Sequence, residues 1–541
     1  MAPRTRRALF IATLFLASCA VLGTFINQKV DAQSATDEST LRDSLHDFTN
    51  VYALVEQNYA EHLDSDKIDK AIYDGAIPGM LHTLDPHSSF QDPKAFAQMR
   101  EDQHGKYYGV GMSIQPQPDP TAKNGLKIVV LTPFEGTPSY KAGIRPGDVI
   151  VNVDGKSTDG MDSAAVASLL KGPRNTQVSV TMEREGSAKP LVFNLIREEV
   201  SRPSVDLAFL VRPGVGYIHV TNFMETTSKE VGDALDKLGD LNGLVIDLRG
   251  NPGGLLNEAV GMADKFLEKG QIVVSQKGRA FPDQVYRVAN GEEGKKYPIV
   301  VLVNRNTASA AEIVSGALQD HDRALIVGET TFGKGLVQTV FQLSQQTGLL
   351  LTTYHYYTPS GRLIQRNYNG VSLYDYYYVR NDAAKPDKSN LEVKLTDSGR
   401  TVYGGGGITP DDAIPEMKAN DFQGNLLQHY AFFNFTKHYL ATHTVNKDLV
   451  VDDAVMADFK NFLKSQPEPI QYTDADLTNN ADWVKMSIKS ELFTSQFGEL
   501  EGLKVRADWD PQIAKAITFL PQAEALEERL AASQKTTLAN R

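Results

Sequence analysis

Ser309 is the residue whose surroundings first suggest chemistry. It lies in Thr307-Ala308-Ser309-Ala310-Ala311-Glu312-Ile313, directly after the apolar run Ile299-Val-Val-Leu-Val303 and an Asn304-Arg-Asn306 turn. Ser309-x-x-Glu312 reads as a capping box, so starting the next helix is one job for this serine. A serine at a helix N-terminus, presented at the carboxyl end of a parallel strand, also stands where open α/β sheets place ligands and where free amides stabilise developing negative charge. Such a position suits a nucleophile.

A serine hydroxyl attacks only when a neighbouring base takes its proton. The chain has no G-x-S-x-G elbow, and His321 falls at the far end of the same helix. A lysine can act as the base when burial disfavours its ammonium form. Lys334, flanked by Gly333 and Gly335 in the otherwise uncharged stretch from Thr330 to Leu343, is the lysine most readily buried. A glycine-flanked lysine in a solvated loop is the plain alternative. The same segment, Gly328-Glu-Thr-Thr-Phe-Gly333-Lys334, spells most of a phosphate-binding loop. Gly335 stands where that loop needs a magnesium-binding Ser or Thr, and Leu336-Val-Gln-Thr-Val-Phe-Gln-Leu343 reads as strand where the loop must open a helix. Ser168-Leu-Leu-Lys171 matches S-x-x-K, but without S-D-N or K-T-G it reads as a helix face.

A third piece is Asp247-Leu-Arg249-Gly250-Asn251-Pro252-Gly253-Gly254-Leu255. A tight strand-to-helix turn needs glycine in any case. Paired glycines also let backbone N–H groups approach an oxyanion, as acyl transfer requires.

The elements that must hold these pieces alternate strand and helix from Gly216 onward, which signals a parallel sheet covered on both faces. Leu244-Val-Ile-Asp-Leu248 and Ile299 to Val303 have the unbroken apolar character of doubly buried strands, and Ala324 to Val327 gives a further strand. Helices are expected at Leu255–Lys269 and Ala310–Gln319, and tyrosine-rich strands around Leu349–Tyr357 are expected to extend the sheet. Earlier, Leu41, Leu45, Phe48, Val51, Tyr52, Val55 and Tyr59 recur at helical spacing, and a second helical stretch, Ile68 to Leu84, stops at Asp85-Pro86. From Tyr107 to Ile196, short β-like runs separated by glycine turns, with one helix at Ser163–Leu170, read as a compact β module. After Pro415 the chain is amphipathic helix, which either mediates assembly into a homo-oligomer or packs on the core.

The 541 residues hold 67 acidic against 55 basic side chains, a formal net charge of −12. That balance lacks the clustered basic excess that phosphate neutralisation demands, so nucleic acid is excluded as a partner. A single cysteine, Cys19, excludes an internal disulfide framework and a thiolate zinc cluster. Arg4, Arg6 and Arg7 precede an apolar run from Ala8 to Ile26, with Val30-Asp31-Ala32 as a cleavage-like site and Leu16-Ala17-Ser18-Cys19 as a weaker lipobox. Residues 1–32 are read as a signal peptide or membrane anchor, which puts the protein in the periplasm or cell envelope.

Taken in order, these pieces resemble the C-terminal processing peptidases, or tail-specific proteases, a serine peptidase family with a Ser–Lys dyad. The matching stretches include Gly79 to Ser89, Gly216 to Phe223, Asp247 to Gly254, Thr307 to Ile313, Gly328 to Gln338, Thr358 to Gln365 and Gly404 to Asp411. The resemblance implies Ser309 as nucleophile, Lys334 as general base and Gln338 as the residue orienting the lysine. It implies an oxyanion hole from the amides of Ala310 and of Gly253 or Gly254, with no metal and no cofactor. Ala311, where the family often has serine, is a departure outside the dyad.

The β module then resembles a PDZ domain, with Tyr108-Gly109-Val110-Gly111-Met112 as its carboxylate-binding loop and Ala142 to Ile150 as a second signature. An extended peptide adding as a strand beside Met112–Ile114 would have its free C-terminus held by loop amides. The expected architecture is multidomain α/β. Its parts are a signal or anchor (1–32), an N-terminal helical segment (33–95), a PDZ domain (96–199), an α/β parallel-sheet catalytic core (200–415) and a helical C-terminal region (416–541). The expected activity is an envelope serine endopeptidase acting on unfolded or flexible protein C-termini, attached to the membrane if the first segment stays uncleaved. A catalytically silent PDZ scaffold is the alternative.

Overall fold

A computed structural model describes residues 38–64, 67, 70–291, 296–343, 346–379, 391–466 and 470–539. The export segment expected at 1–32, Cys19 included, lies outside them. The chain divides into two compact units, residues 1–79 and 80–541. In the first, the apolar spacing from Leu41 to Val55 gives the 21-residue helix Glu38–Asn58, and a π-helical turn follows at Ala71–Ala76. No described helix is long and apolar enough to cross a membrane.

The second unit is built on a six-stranded sheet in the order Val205–Arg212, Val215–Val220, Gly243–Asp247, Ile299–Val303, Leu325–Gly328, Asp412–Ala413. The first two strands are antiparallel and every later pairing is parallel. Alternating side chains explain why the central strands are apolar throughout. Leu244, Ile246, Ile299, Val301 and Val303 face a core shared with the helices Thr227–Leu238, Leu256–Ala263 and Ala310–Asp320. Val245, Val300 and Leu302 face Ala507, Ile513, Ala516, Phe519, Leu520 and Ala523. The second cover of the sheet is therefore the end of the chain, through the helices Glu499–Trp509, Pro511–Ile517 and Leu520–Ala539. Burial of large apolar side chains such as Ile513, Phe519 and Leu520 stabilises by roughly 1.5–3 kcal/mol each.

Gly348–Tyr357, expected to extend this sheet, instead centres a second one. It pairs with Ser89–Gln91, Ile272–Lys277 and Leu336–Gln342, and Gln284–Arg287 closes the far side. The short connection after Gln342 allows an antiparallel hairpin but not the long crossover that a parallel neighbour needs.

The β module is a six-stranded antiparallel sheet running from Met112–Pro118 at one edge to Leu191–Ile196 at the other, with helices Pro138–Lys141 and Ser163–Leu170 and its own core around Val130, Val153, Val166, Val180 and Met182. Helices from Asp421–Gln428 to Ala481–Phe497 form a further core in which Phe432 stacks on Phe459. The molecule thus combines an N-terminal helical part, a β module, a mixed α/β core and a helical C-terminal region.

Candidate active site

Ser309 ends the turn after Ile299–Val303 and starts the helix Ala310–Asp320, which is buried along its whole length. Its backbone has φ +53° and ψ −115°, a conformation that a non-glycine residue holds only at a cost of roughly 1–3 kcal/mol. Surrounding bonds enforce it. The Thr307 hydroxyl donates to the Leu248 carbonyl at 2.8 Å, the Ala308 amide to the Asn251 carbonyl at 2.9 Å, and the Tyr356 hydroxyl to the Ser309 carbonyl at 3.1 Å. The capping box is present as well, and its carboxylate does more than cap.

Glu312, fully buried, gathers two loops onto one carboxylate. Its Oε2 accepts from the Ser309 amide at 2.8 Å and from the Lys334 amide at 2.9 Å. Its Oε1 accepts from the Gly333 amide at 2.7 Å and from the Thr331 hydroxyl. Burial pushes the carboxyl pKa up, and these four donors pull against that rise. The serine and lysine loops are thereby locked together by a residue that the sequence marked only as a helix cap.

Lys334 precedes the strand Leu336–Gln342, so the near-match to a phosphate loop opens no helix. Burial lowers the lysine pKa, with Glu312 and Asp85 opposing the shift. No carboxylate lies within ion-pair distance of its ammonium among the described residues. Gln338, the expected third member, donates from Nε2 to the Thr352 hydroxyl at 3.2 Å, and the Thr352 amide donates to Ser88 Oγ at 3.1 Å. No hydrogen bond joins Gln338 to Lys334 among the described residues.

The glycine turn packs directly on the serine. A Cβ at Gly253 (φ +97°) would lie 2.7 Å from Ser309 Cβ and 2.9 Å from the Ala310 nitrogen, and one at Gly254 (φ +144°) would lie 2.1 Å from the Phe223 carbonyl oxygen. A side chain at either position forces its neighbours to shift, the closer clash being at Gly254. The Gly253 amide is already committed to Asn251 Oδ1 at 2.8 Å, and Asn251 Nδ2 donates to the Val220 carbonyl at 2.8 Å. The Gly254 and Ala310 amides donate to no acceptor among the described residues.

One neighbour of Lys334 was not legible as a site residue. The Asp85 carboxylate accepts from the amides of His87 and Ser88, both at 2.7 Å, and from the Ser88 hydroxyl at 2.7 Å, which fixes the turn that carries His87. Gln365 Nε2 donates to the Tyr376 hydroxyl at 3.1 Å, so the Tyr376 proton is free to point at His87 Nε2, 3.0 Å away. The Tyr377 hydroxyl donates to the Pro86 carbonyl at 2.7 Å and lies 3.3 Å from His87 Nδ1. This pattern assigns a neutral imidazole protonated at Nδ1. Burial, and then the charge of Lys334, lower the His87 pKa to about 4.

In the β module, the loop 108–112 is tied back by its carbonyls. Val110 accepts from the Ser139 amide at 2.9 Å and hydroxyl at 2.7 Å, and Gly111 accepts from the Phe134 amide at 3.0 Å and the Thr137 hydroxyl at 2.8 Å. Gly111 (φ +78°) leaves no room for a Cβ against Thr137, and Gly109 none against the Tyr107 ring. Tyr108 is exposed. Met112–Pro118 pairs on one side alone, with Leu126–Pro133, so its other edge is outside the ladder.

Sequence comparison agrees with this arrangement. The family model of Peptidase family S41 matches residues 214–372, a PDZ domain model residues 129–184, an activating protease CtpB N-terminal domain model residues 12–95, and a probable PDZ-protease C-terminal helical domain model residues 422–469. A carboxy-terminal-processing protease of Bartonella bacilliformis is 37% identical over 365 residues, 66% of this chain and 79% of that one. The chain belongs to the carboxy-terminal-processing proteases of peptidase family S41. A probable CtpA-like serine protease of Staphylococcus aureus is 37% identical over 346 residues, 63% of this chain and 66% of that one. Among solved structures, a photosystem II D1 C-terminal processing protease is 34% identical, covering 61% of this chain and 91% of its own, with a TM-score of 0.32. As a carboxy-terminal-processing protease the chain is a serine-type peptidase with a PDZ domain, and its substrates are proteins.

Proposed function

We propose that this peptidase cleaves by a Ser–Lys acyl-enzyme mechanism and that its PDZ domain selects substrates by their free C-termini. Neutral Lys334 takes the Ser309 proton as Oγ attacks the peptide carbonyl. The resulting oxyanion lies against the amides of Ala310 and Gly254, Gly253 supplying the close approach. The lysine returns its proton to the departing amine, and water, deprotonated by the same lysine, releases the acyl group. The role of orienting the lysine is assigned to Gln338 on the family resemblance alone, its Nε2 being bonded to Thr352 here. The observation that carries this reading is the Glu312 carboxylate, which bonds the Ser309 and Lys334 amides together while the half-buried lysine side chain forms no ion pair among the described residues.

The loop from Tyr108 to Met112 holds the substrate carboxylate, and the tail adds as a strand beside Met112–Ile114. Residues 1–32 export or anchor the protein in the cell envelope. Residues 33–95, 96–199, 200–415 and 416–541 then act as helical segment, PDZ domain, catalytic domain and helical region. The test uses one unfolded substrate with an apolar tail, prepared with a free and with an amidated C-terminus. Wild type cleaves the free form with higher kcat/KM than the amidated form, and Ser309→Ala and Lys334→Ala cleave neither. Equal cleavage by wild type and Ser309→Ala removes the mechanism, and indifference to amidation removes the tail recognition.

A further inference from the structure

The turn that carries Gly253 and Gly254 begins with Asp247 and Arg249, and Arg249 is held from two directions. Its own strand supplies Asp247, whose carboxylate accepts from Nε at 3.0 Å through each oxygen and from Nη2 at 2.6 Å, and which also accepts the Tyr217 hydroxyl at 2.8 Å. The far end of the chain supplies the rest. Arg249 Nη2 donates to Asp510 Oδ2 at 2.9 Å and Nη1 to Gln512 Oε1 at 2.6 Å. Gln512 is itself fixed, donating from Nε2 to the Ile414 and Pro415 carbonyls at 3.3 and 3.1 Å, and Asp510 Oδ1 caps the helix Pro511–Ile517 through the amides of Gln512 and Ile513. That helix lies against the sheet that presents both Ser309 and the glycine turn. From Arg249 the turn runs on through bonded links: the Gly250 amide donates to Asn304 Oδ1 at 2.9 Å, and Asn251 holds both the Gly253 and Ala308 amides.

We infer that Asp510 and Gln512 are positioning residues for the oxyanion turn: the C-terminal helical region grips Arg249 and so sets where the Gly254 amide stands relative to Ser309. This rests on the acyl-transfer reading above. A guanidinium clamped in a plane by three side chains fixes its backbone as one carboxylate does not, because bidentate and flanking bonds remove its rotation as well as its translation. The region after Pro415 is then part of the catalytic apparatus, acting through Arg249, in addition to covering the sheet.

The experiment keeps the full chain and removes only the clamp. Asp510→Ser retains a good helix cap but is too short to reach Arg249, and Gln512→Leu keeps the volume without the bond. Three readings are taken on folded protein: kcat, KM, and the Ki of a peptide boronic acid, whose tetrahedral adduct on the serine places an oxygen where the oxyanion forms. Displaced oxyanion donors cost roughly tenfold to hundredfold in rate. Each variant is therefore expected to lose about tenfold in kcat and to raise the boronate Ki by a similar factor, with KM within about twofold, and Asp510→Asn to fall between it and wild type. Wild-type kcat and Ki in the variants overturn the inference. A loss that follows the folded fraction, or a fall in kcat with unchanged Ki, overturns it as well. If Asp510→Ser does not fold, Gln512→Leu decides. Failure of the acyl-transfer reading looks different: wild type itself then fails to bind the boronate, or Ser309→Ala stays active.

Discussion

The amides of Ser309 and Lys334 donate to the same oxygen, Oε2 of Glu312, and so stand two hydrogen bonds apart although twenty-five positions separate them in the chain. Two loops that leave different strands of one sheet are thereby kept in register by a single buried acceptor. A carboxylate suits this role because it has no hydrogen of its own and accepts several N–H and O–H donors at once.

Glu312→Gln tests that role. The amide replaces one acceptor with a donor that must face N–H groups already pointing inward, so at least one buried donor loses its partner. The variant is expected to lose roughly 2–4 kcal/mol in denaturant melts and at least about a hundredfold in kcat, because serine and lysine no longer share a fixed frame. Near-wild-type kcat in Glu312→Gln would show that the shared carboxylate is dispensable.

Lys334 carries a stability signature with a definite sign. Its pKa is lowered in the folded protein, burial being the main cause. Between the folded and the ordinary lysine pKa, the unfolded chain binds a proton that the native state does not, so stability rises with pH across that window and the penalty is greatest below it. Lys334→Met is therefore expected to be inactive, by about 10³-fold or more, yet more stable than wild type at neutral pH. The advantage should shrink as pH climbs toward the ordinary lysine range. A neutral-pH melt in which Lys334→Met is less stable would contradict a lysine whose charged form is disfavoured in the fold.

Much of this site could be read from residue types and spacing, and what could not has a physical cause. Ile299–Val303 and Ala310 onward were legible because apolar runs and a capping box are local signals. The helix expected to reach Lys269 stops at Ala263, where the Asp264 side chain accepts the Ala289 and Asn290 amides at 2.6 and 3.0 Å, a partnership with no local trace. For the same reason Glu312 read as a cap, while its decisive partners lie in a loop distant in sequence. At the chain's end, amphipathic periodicity marks a face to be buried but does not say against what.

His87 offers an acid-side counterpart to the lysine. Its folded pKa, about 4, lies below the ordinary 6.5, so the unfolded chain binds more protons between those values, and native stability falls as pH drops through that window. Tyr376→Phe keeps the ring but removes the proton offered to Nε2, a bond that favours the neutral imidazole. The variant is expected to raise the His87 pKa and move the start of acid destabilisation to higher pH, as read by melts from pH 4 to 7 and by the imidazole resonances. An unchanged titration in Tyr376→Phe would disprove the assigned tautomer.

The two glycines of the oxyanion turn should separate function from folding. At Gly253 an added methyl meets the Ala308 carbonyl oxygen and Ser309 Cβ at 2.7 Å and the Ala310 nitrogen at 2.9 Å, the last two being parts of the reacting site, on a backbone with positive φ. At Gly254 it meets the Phe223 carbonyl at 2.1 Å, where the turn bridges to its neighbour and nothing flexible can yield. Gly253→Ala is therefore expected to fold with a modest loss of about 1–3 kcal/mol and a kcat lowered by about a hundredfold or more, the methyl pushing the serine and the Ala310 amide out of line. Gly254→Ala is expected to cost more in stability than Gly253→Ala, with soluble yield and melting temperature as the readout. Equal stability of the two variants, or full activity in Gly253→Ala, would mean that the turn does not approach the serine as closely as these contacts require.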